Sequence, residues 1–158
     1  MQLEKISAFR SELAIAETIE EIKHLDTKAS ALAEIARKGK MSKSAQDEVG
    51  AFRCDIEAKK GAWLDEYFPQ GGDRKSRLPD RTLIEEGINK KESSNARLVN
   101  KEQELVAEAI EEIKQDDKKV VTPSAVVSLV RNKKRKIRVE ETEQPNLDGI
   151  YRVIYADP

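Results

Sequence analysis

An apolar stripe that recurs every three or four residues between residues 3 and 67 constrains the fold more than any other feature of the sequence. Before Gly39 its members are Leu3, Ile6, Phe9, Leu13, Ala16, Ile19, Ile22, Leu25, Ala29, Leu32 and Ile35. After Ser42 they are Ala45, Val49, Phe52, Ile56, Trp63 and Tyr67. This spacing is typical of helices that bury one side, and glycine is a common helix stop. The sequence therefore predicts a long helical hairpin over residues 1–68.

A thin hairpin of this kind buries little apolar surface by itself. Its stripe is expected to pack either on the next segment of the same chain or on a second copy, which would give a homodimer through residues 1–68. Thr18 and Glu21 have the spacing of a capping box, which places a helix boundary near Thr18. Charged residues make up 37% of the chain and aromatic residues 4%, a balance typical of solvent-exposed helices rather than of a compact enzyme.

Residue counts exclude several kinds of site. The chain has one histidine, His24, and one cysteine, Cys54, on different predicted helices. We therefore expect no metal site and no nucleophile–base pair, and the chain itself is expected to hold no cofactor and to catalyse no reaction. No apolar run approaches the ~18 residues of a membrane span, and the first residues lack a signal-peptide core. A cytoplasmic protein without membrane contact is expected.

Residues 69–79 have the composition of a loop, with two prolines and paired glycines. The loop carries Arg74 and Lys75 close to Gly71 and Gly72, which lack side chains and so leave backbone amides accessible. It is predicted either to contact phosphates or to act only as a flexible, soluble connector.

Residues 80–135 are predicted to form a helix-turn-helix-like DNA-binding domain. A short helix leads to Gly87, which suits the positive φ of a tight turn between helices. Asn89 is expected to cap the next helix, with Glu92 at the position that completes a capping box.

The helix after Asn89 is expected to place apolar residues inward, namely Ala96, Leu98 and Val99. The residues expected to face outward and to contact DNA are Lys90, Lys91, Ser93, Ser94, Asn95 and Arg97. In a helix-turn-helix such residues read base edges and hold phosphates in the major groove. The same residue types are equally usual on any solvated helix surface, which is the alternative.

An acidic helix over residues 101–115 and a helix opened by Thr122 and Pro123 are predicted to follow. The second helix runs into the basic residues Arg131, Lys133, Lys134, Arg135, Lys136 and Arg138. Residues 118–138 contain eight Lys or Arg and no Asp or Glu. This charge favours non-specific, salt-dependent contact with nucleic-acid phosphates. The alternatives are a solvated linker and, in a eukaryote, a nuclear import signal.

A polar linker over residues 136–149 precedes a predicted β-strand over residues 150–158. The strand is indicated by the β-branched and aromatic residues Tyr151, Val153, Ile154 and Tyr155. The expected fold is thus mainly α: a long helical hairpin, a helix-turn-helix-like helical domain, a basic linker and one terminal strand.

The segment Ile154-Tyr155-Ala156-Asp157-Pro158 resembles the first half of the Asp-Pro-Pro-Trp motif of the N6-adenine methyltransferases related to the mRNA adenosine methylase. The resemblance implies that Asp157 accepts a hydrogen bond from the adenine amino group. It also implies that Pro158 helps to shape the slot for a base taken out of the stack. S-adenosylmethionine is the cofactor implied for the complete protein. The second Pro and the Trp are absent, so we expect a catalytic domain cut at its entrance.

Residues 71–76 and 87–94 resemble the N-terminal region of phage and mobile-element proteins, where an adenine methyltransferase domain often follows. The predicted function is the non-catalytic, DNA-binding N-terminal portion of an S-adenosylmethionine-dependent N6-adenine DNA methyltransferase. The alternative is a stand-alone helix-turn-helix DNA-binding regulator or accessory protein of a phage or mobile element.

Overall fold

A computed structural model describes residues 2–68, 83 and 85–142, with side chains described for residues 6–68, 83 and 85–140. The helices of this part are α1 (Gln2–Ile15), α2 (Ile19–Lys38), α3 (Lys43–Tyr67), α4 (Lys90–Lys101), α5 (Gln103–Gln115) and α6 (Pro123–Thr142). The described residues contain no strand, so the mainly α fold class is confirmed for them. The predicted loop over residues 69–79 and the predicted strand over residues 150–158 lie outside them. Among the described helices, none combines the length and apolarity needed to span a membrane.

Side-chain caps set helix boundaries that the sequence predicted. The Thr18 hydroxyl accepts a hydrogen bond from the Glu21 amide at 3.3 Å, and the Glu21 carboxylate accepts one from the Thr18 amide at 3.0 Å. This reciprocal pair completes the predicted capping box, and the bond from the Thr18 amide is the main cause that lowers the pKa of Glu21. At the start of α6 the Thr122 hydroxyl accepts a bond from the Ala125 amide at 3.2 Å.

Helix α3 is the central helix of the described bundle. On one side, Val49, Phe52 and Ile56 pack against α1, α2 and the turn between them. The buried residues contributed by that part of the chain are Ile6, Leu13, Ala16, Ile22, Leu25, Ala29 and Leu32. Phe52 and Ile56 have no exposed surface. The middle of the second half of the stripe is therefore covered within the chain, as the intramolecular alternative requires, whereas Tyr67 at its end is 56% exposed. A homodimer through residues 1–68 stays a prediction.

On another side, α3 contributes Cys54 to a second apolar cluster. The other members of this cluster come mainly from α5 and α6: Val99, Val106, Ala109, Ile113, Val121, Val126, Val127 and Val130. Burial is the main cause that raises the pKa of the Cys54 thiol to about 12, so the thiol stays protonated near neutral pH. Because α3 has side chains in both clusters, the helices before residues 69–79 and those after them pack on the same central helix.

Two glycines let other backbone segments approach α3 closely. A Cβ atom at Gly61 would lie 2.2 Å from the carbonyl oxygen of Ala96 in α4, and one at Gly50 would lie 1.9 Å from that of Val121. The Val121 amide donates to the buried Asp47 carboxylate at 2.8 Å, which fixes this approach. Glycine is needed at both positions because no side chain fits between the two backbones.

The turn before α4 has the predicted backbone. Gly87 has a φ of +64°, Ile88 is buried, and the Asn89 side chain accepts a hydrogen bond from the Glu92 amide at 2.9 Å. The predicted turn and cap are thus confirmed. The reciprocal bond of the capping box was wrongly predicted, because the Glu92 carboxylate instead accepts a bond from Lys60 Nζ at 2.9 Å.

Candidate nucleic-acid interface

Helix α4 exposes only part of the residues predicted to contact DNA. Lys90, Lys91 and Ser94 are exposed, and Asn95 is half-buried. Ser93 and Arg97, however, are only 7% and 8% exposed. The prediction that both of these side chains face outward is therefore wrong.

Arg97 is held in the interior by the end of α3. Its guanidinium donates to the carbonyl oxygens of Leu64, at 3.2 Å, and of Phe68, and it pairs with Asp65 at 3.0 Å. Its Nε also donates to the Ser93 hydroxyl at 3.4 Å. Arg97 adds a second donor to the Leu64 carbonyl, which also accepts from the Phe68 amide at 2.9 Å, and it donates to the Phe68 carbonyl just beyond the helix. The guanidinium is therefore directed into the bundle.

The basic residues of α6 lie on an exposed helix end. Every residue from Arg131 to Glu140 is exposed except Lys133, which is half-buried. Six of the eight residues 131–138 are Lys or Arg, and we call this segment the basic end of α6. Two apolar side chains, Ile137 and Val139, are 43% and 46% exposed beside these cations.

The predicted DNA-contacting residues of α4 and α6 adjoin one another. Arg131 donates to the side-chain oxygen of Asn95 at 2.7 Å. Lys91 and Asn95 also line the same shallow pocket as Ser124, at the start of α6. The two helices therefore present one continuous surface, from the exposed start of α4 to the basic end of α6.

Carboxylates of the α5 region face the two neighbouring lysines of the basic end. Lys133 Nζ lies 3.1 Å from a Glu108 oxygen and 3.3 Å from a Glu112 oxygen. Lys134 Nζ lies 2.5 Å from a carboxylate oxygen of Glu102, between α4 and α5. The hydrogen bond to Glu108 is the main cause that raises the pKa of Lys133. Both lysines thus already have anionic partners.

A groove of about 670 Å³ lies between the basic end of α6 and the start of α5. The groove is lined by Glu102, Leu105, Arg131, Lys134, Arg135, Ile137 and Arg138. Four cations and one carboxylate give it a positive character that suits a phosphodiester. Sequence reasoning missed the acidic partners and the apolar lining. The opposite charges of residues 102–117 and 118–138 are a signal that could have indicated that the two segments pair.

A second charged cluster surrounds Lys60, which is only 1% exposed. Its Nζ atom lies 2.9 Å from Glu92, 3.2 Å from Glu57 and 3.6 Å from Asp26. Burial alone would lower the pKa of Lys60, but the surrounding carboxylates outweigh burial and raise it. An ammonium that stays protonated is neither a nucleophile nor a base. The cluster therefore joins α2, α3 and α4, and its lysine is not suited to act as a catalytic nucleophile or base.

The other predicted site residues, Arg74, Lys75, Asp157 and Pro158, lie outside the described residues. Within residues 2–68, 83 and 85–142, no three His, Cys, Asp or Glu residues are arranged to hold a metal ion. Comparison with protein families, with curated proteins and with solved structures gives no significant match to this chain.

Proposed function

We propose that the chain is the non-catalytic, DNA-binding N-terminal portion of an S-adenosylmethionine-dependent N6-adenine DNA methyltransferase, and that it binds duplex DNA through the basic end of α6. One observation carries the DNA-binding part: six cations within eight residues lie on an exposed helix end, in a stretch without any acid. Lys and Arg without interleaved aromatics bind phosphates whatever the base sequence, and this binding is driven by the release of counterions.

The methyltransferase part of the proposal rests on the resemblance at residues 154–158. In that family Asp157 would accept a hydrogen bond from the adenine amino group, and Pro158 would shape the slot for the extruded base. Both residues lie outside the described part of the chain. The described helices contain none of the residues that the resemblance assigns to catalysis. Their proposed role is to hold DNA, and no step of methyl transfer is assigned to them.

The alternative, a stand-alone helix-turn-helix regulator, requires base-reading side chains at the start of α4. The positive φ of Gly87 and the side-chain cap at Asn89 are compatible with this alternative. Arg97, however, donates to the end of α3, and the Ser93 hydroxyl accepts from Arg97. The arrangement therefore favours holding of the phosphate backbone by α6 over reading of bases by α4.

The test of this proposal is the salt dependence of duplex DNA binding, measured by fluorescence anisotropy with the full chain. Replacing the exposed Arg135 and Lys136 by Ala is expected to weaken binding and to flatten the slope of log K against log salt concentration. The slope should fall by up to ~1.8, since each phosphate contact contributes about 0.9. The loss should be the same for duplexes of unrelated sequence.

The matched control is Arg37→Ala together with Lys38→Ala, which removes the same two side-chain types from an exposed helix end far along the chain. This control should leave the slope nearly unchanged. The proposal is contradicted if the unaltered chain does not bind duplex DNA at low salt, or if both double variants flatten the slope equally.

A further inference from the structure

We infer that the acidic side chains of the α5 region act as a built-in competitor of DNA. In the free chain, Glu102, Glu108 and Glu112 hold Lys133 and Lys134, and bound DNA takes their place. This inference rests on the proposed function and concerns the regulation of the same surface.

The geometry places two carboxylates on one ammonium. Glu108 and Glu112 are four residues apart on α5, so they lie on the same side of the helix. Their oxygens approach Lys133 Nζ to 3.1 and 3.3 Å. Glu102, Glu108 and Glu112 thereby form a row of negative charge along the basic end of α6. A phosphate backbone is also a row of negative charge, and it would present oxygens to the same N–H donors.

The pairs are suited to exchange because they are accessible to solvent. Glu108 and Glu112 side chains are 59% and 55% exposed, while Lys133 is 27% exposed. Ion pairs at such positions contribute little to stability, so a polyanion can displace them without unfolding the bundle. The exposed cations Arg135 and Lys136 provide the first contact, and Lys133 and Lys134 then exchange their carboxylate partners for phosphates.

The experiment compares two variants of the full chain that change the net charge equally. The test variant, Glu108→Gln with Glu112→Gln, removes the competitor at Lys133. The control variant, Glu104→Gln with Glu111→Gln, removes two exposed carboxylates of α5. Among the described residues, neither of these carboxylates is found in contact with Lys133 or Lys134. Duplex DNA affinity is measured for both as a function of salt. The first variant is expected to bind about two- to ten-fold more tightly than the control, which corresponds to losing weak exposed pairs. Its salt slope should stay close to that of the unaltered chain, because Lys133 contacts phosphate in both complexes and only the displacement of the carboxylates is avoided.

Three outcomes separate the inference from the proposed function. Equal tightening by both variants would mean that only overall charge matters, and this would overturn the inference while leaving DNA binding in place. No binding by the unaltered chain or either variant at low salt would overturn both. As an independent arm, Glu102→Gln should tighten binding through Lys134 relative to Glu104→Gln alone, and an equal effect of these two changes would also count against the inference.

Discussion

The guanidinium of Arg97 serves several acceptors at the end of α3 at once. It donates to the Leu64 and Phe68 carbonyls and to the Asp65 carboxylate. Arginine suits this position because its donors form a fixed planar fork, whereas the single ammonium of lysine cannot reach the same acceptors together. Arg97, which the sequence predicts as a DNA contact, therefore links α4 to the end of α3.

Replacing Arg97 by Ala is expected to destabilise the fold by about 2–3 kcal/mol, because buried acceptors lose charged hydrogen bonds. Chemical unfolding followed by circular dichroism measures this change. Lys101→Ala, at an exposed position of the same helix, should change the free energy of unfolding little.

The DNA affinity of the Arg97→Ala variant provides the second readout. At a temperature where the variant is folded, its affinity should equal that of the unaltered chain. A stable variant with strongly reduced DNA affinity would contradict the assignment of Arg97 to packing and would restore the base-reading role.

At the scale of helices, the contact between α3 and α4 depends on Gly61. Helix propensity alone predicts that Gly61→Ala stabilises the chain by about 1 kcal/mol. Packing predicts the opposite, because the new Cβ would lie 2.2 Å from the carbonyl oxygen of Ala96. We expect packing to prevail and the variant to be destabilised by about 1–2 kcal/mol, since forced overpacking costs about 1–3 kcal/mol.

Thermal and chemical unfolding of Gly61→Ala check this expectation. The adjacent exposed substitution Ala62→Gly calibrates the propensity effect in the same helix and should be mildly destabilising. A Gly61→Ala protein more stable than the unaltered chain would show that α4 does not approach α3 as closely as described.

Helix boundaries could be predicted from the sequence because they depend on neighbouring residues. The Thr18 box, the Asn89 cap and the Thr122 cap each involve atoms only three residues apart. The sides on which helices meet could not be predicted in the same way. Gly61 and Ala96 are far apart in the sequence, and nothing local indicates that their backbones touch. For the same reason the sequence wrongly predicts an outward-facing Arg97, because its acceptors lie at the end of another helix.

At the scale of the whole molecule, charge is arranged in opposed surfaces. Glu102 and Glu108 face Lys134 and Lys133, while Arg135 and Lys136 are exposed on α6. The sequence predicted the basic cluster because the cations are contiguous. It did not reveal the acidic partners, because that requires knowing that α5 and α6 pack side by side. The predicted site thus includes the exposed cations of α6 but lacks the carboxylates that pair with two of them.

Lysine acetylation followed by mass spectrometry, with and without duplex DNA, tests most directly whether the basic end of α6 is the DNA-binding surface. The account predicts that DNA protects Lys134 and Lys136, whereas Lys38 and Lys119, each with a side chain 67% exposed, stay as reactive as before. Equal protection of all four lysines, or protection that leaves Lys134 and Lys136 unchanged, would contradict it.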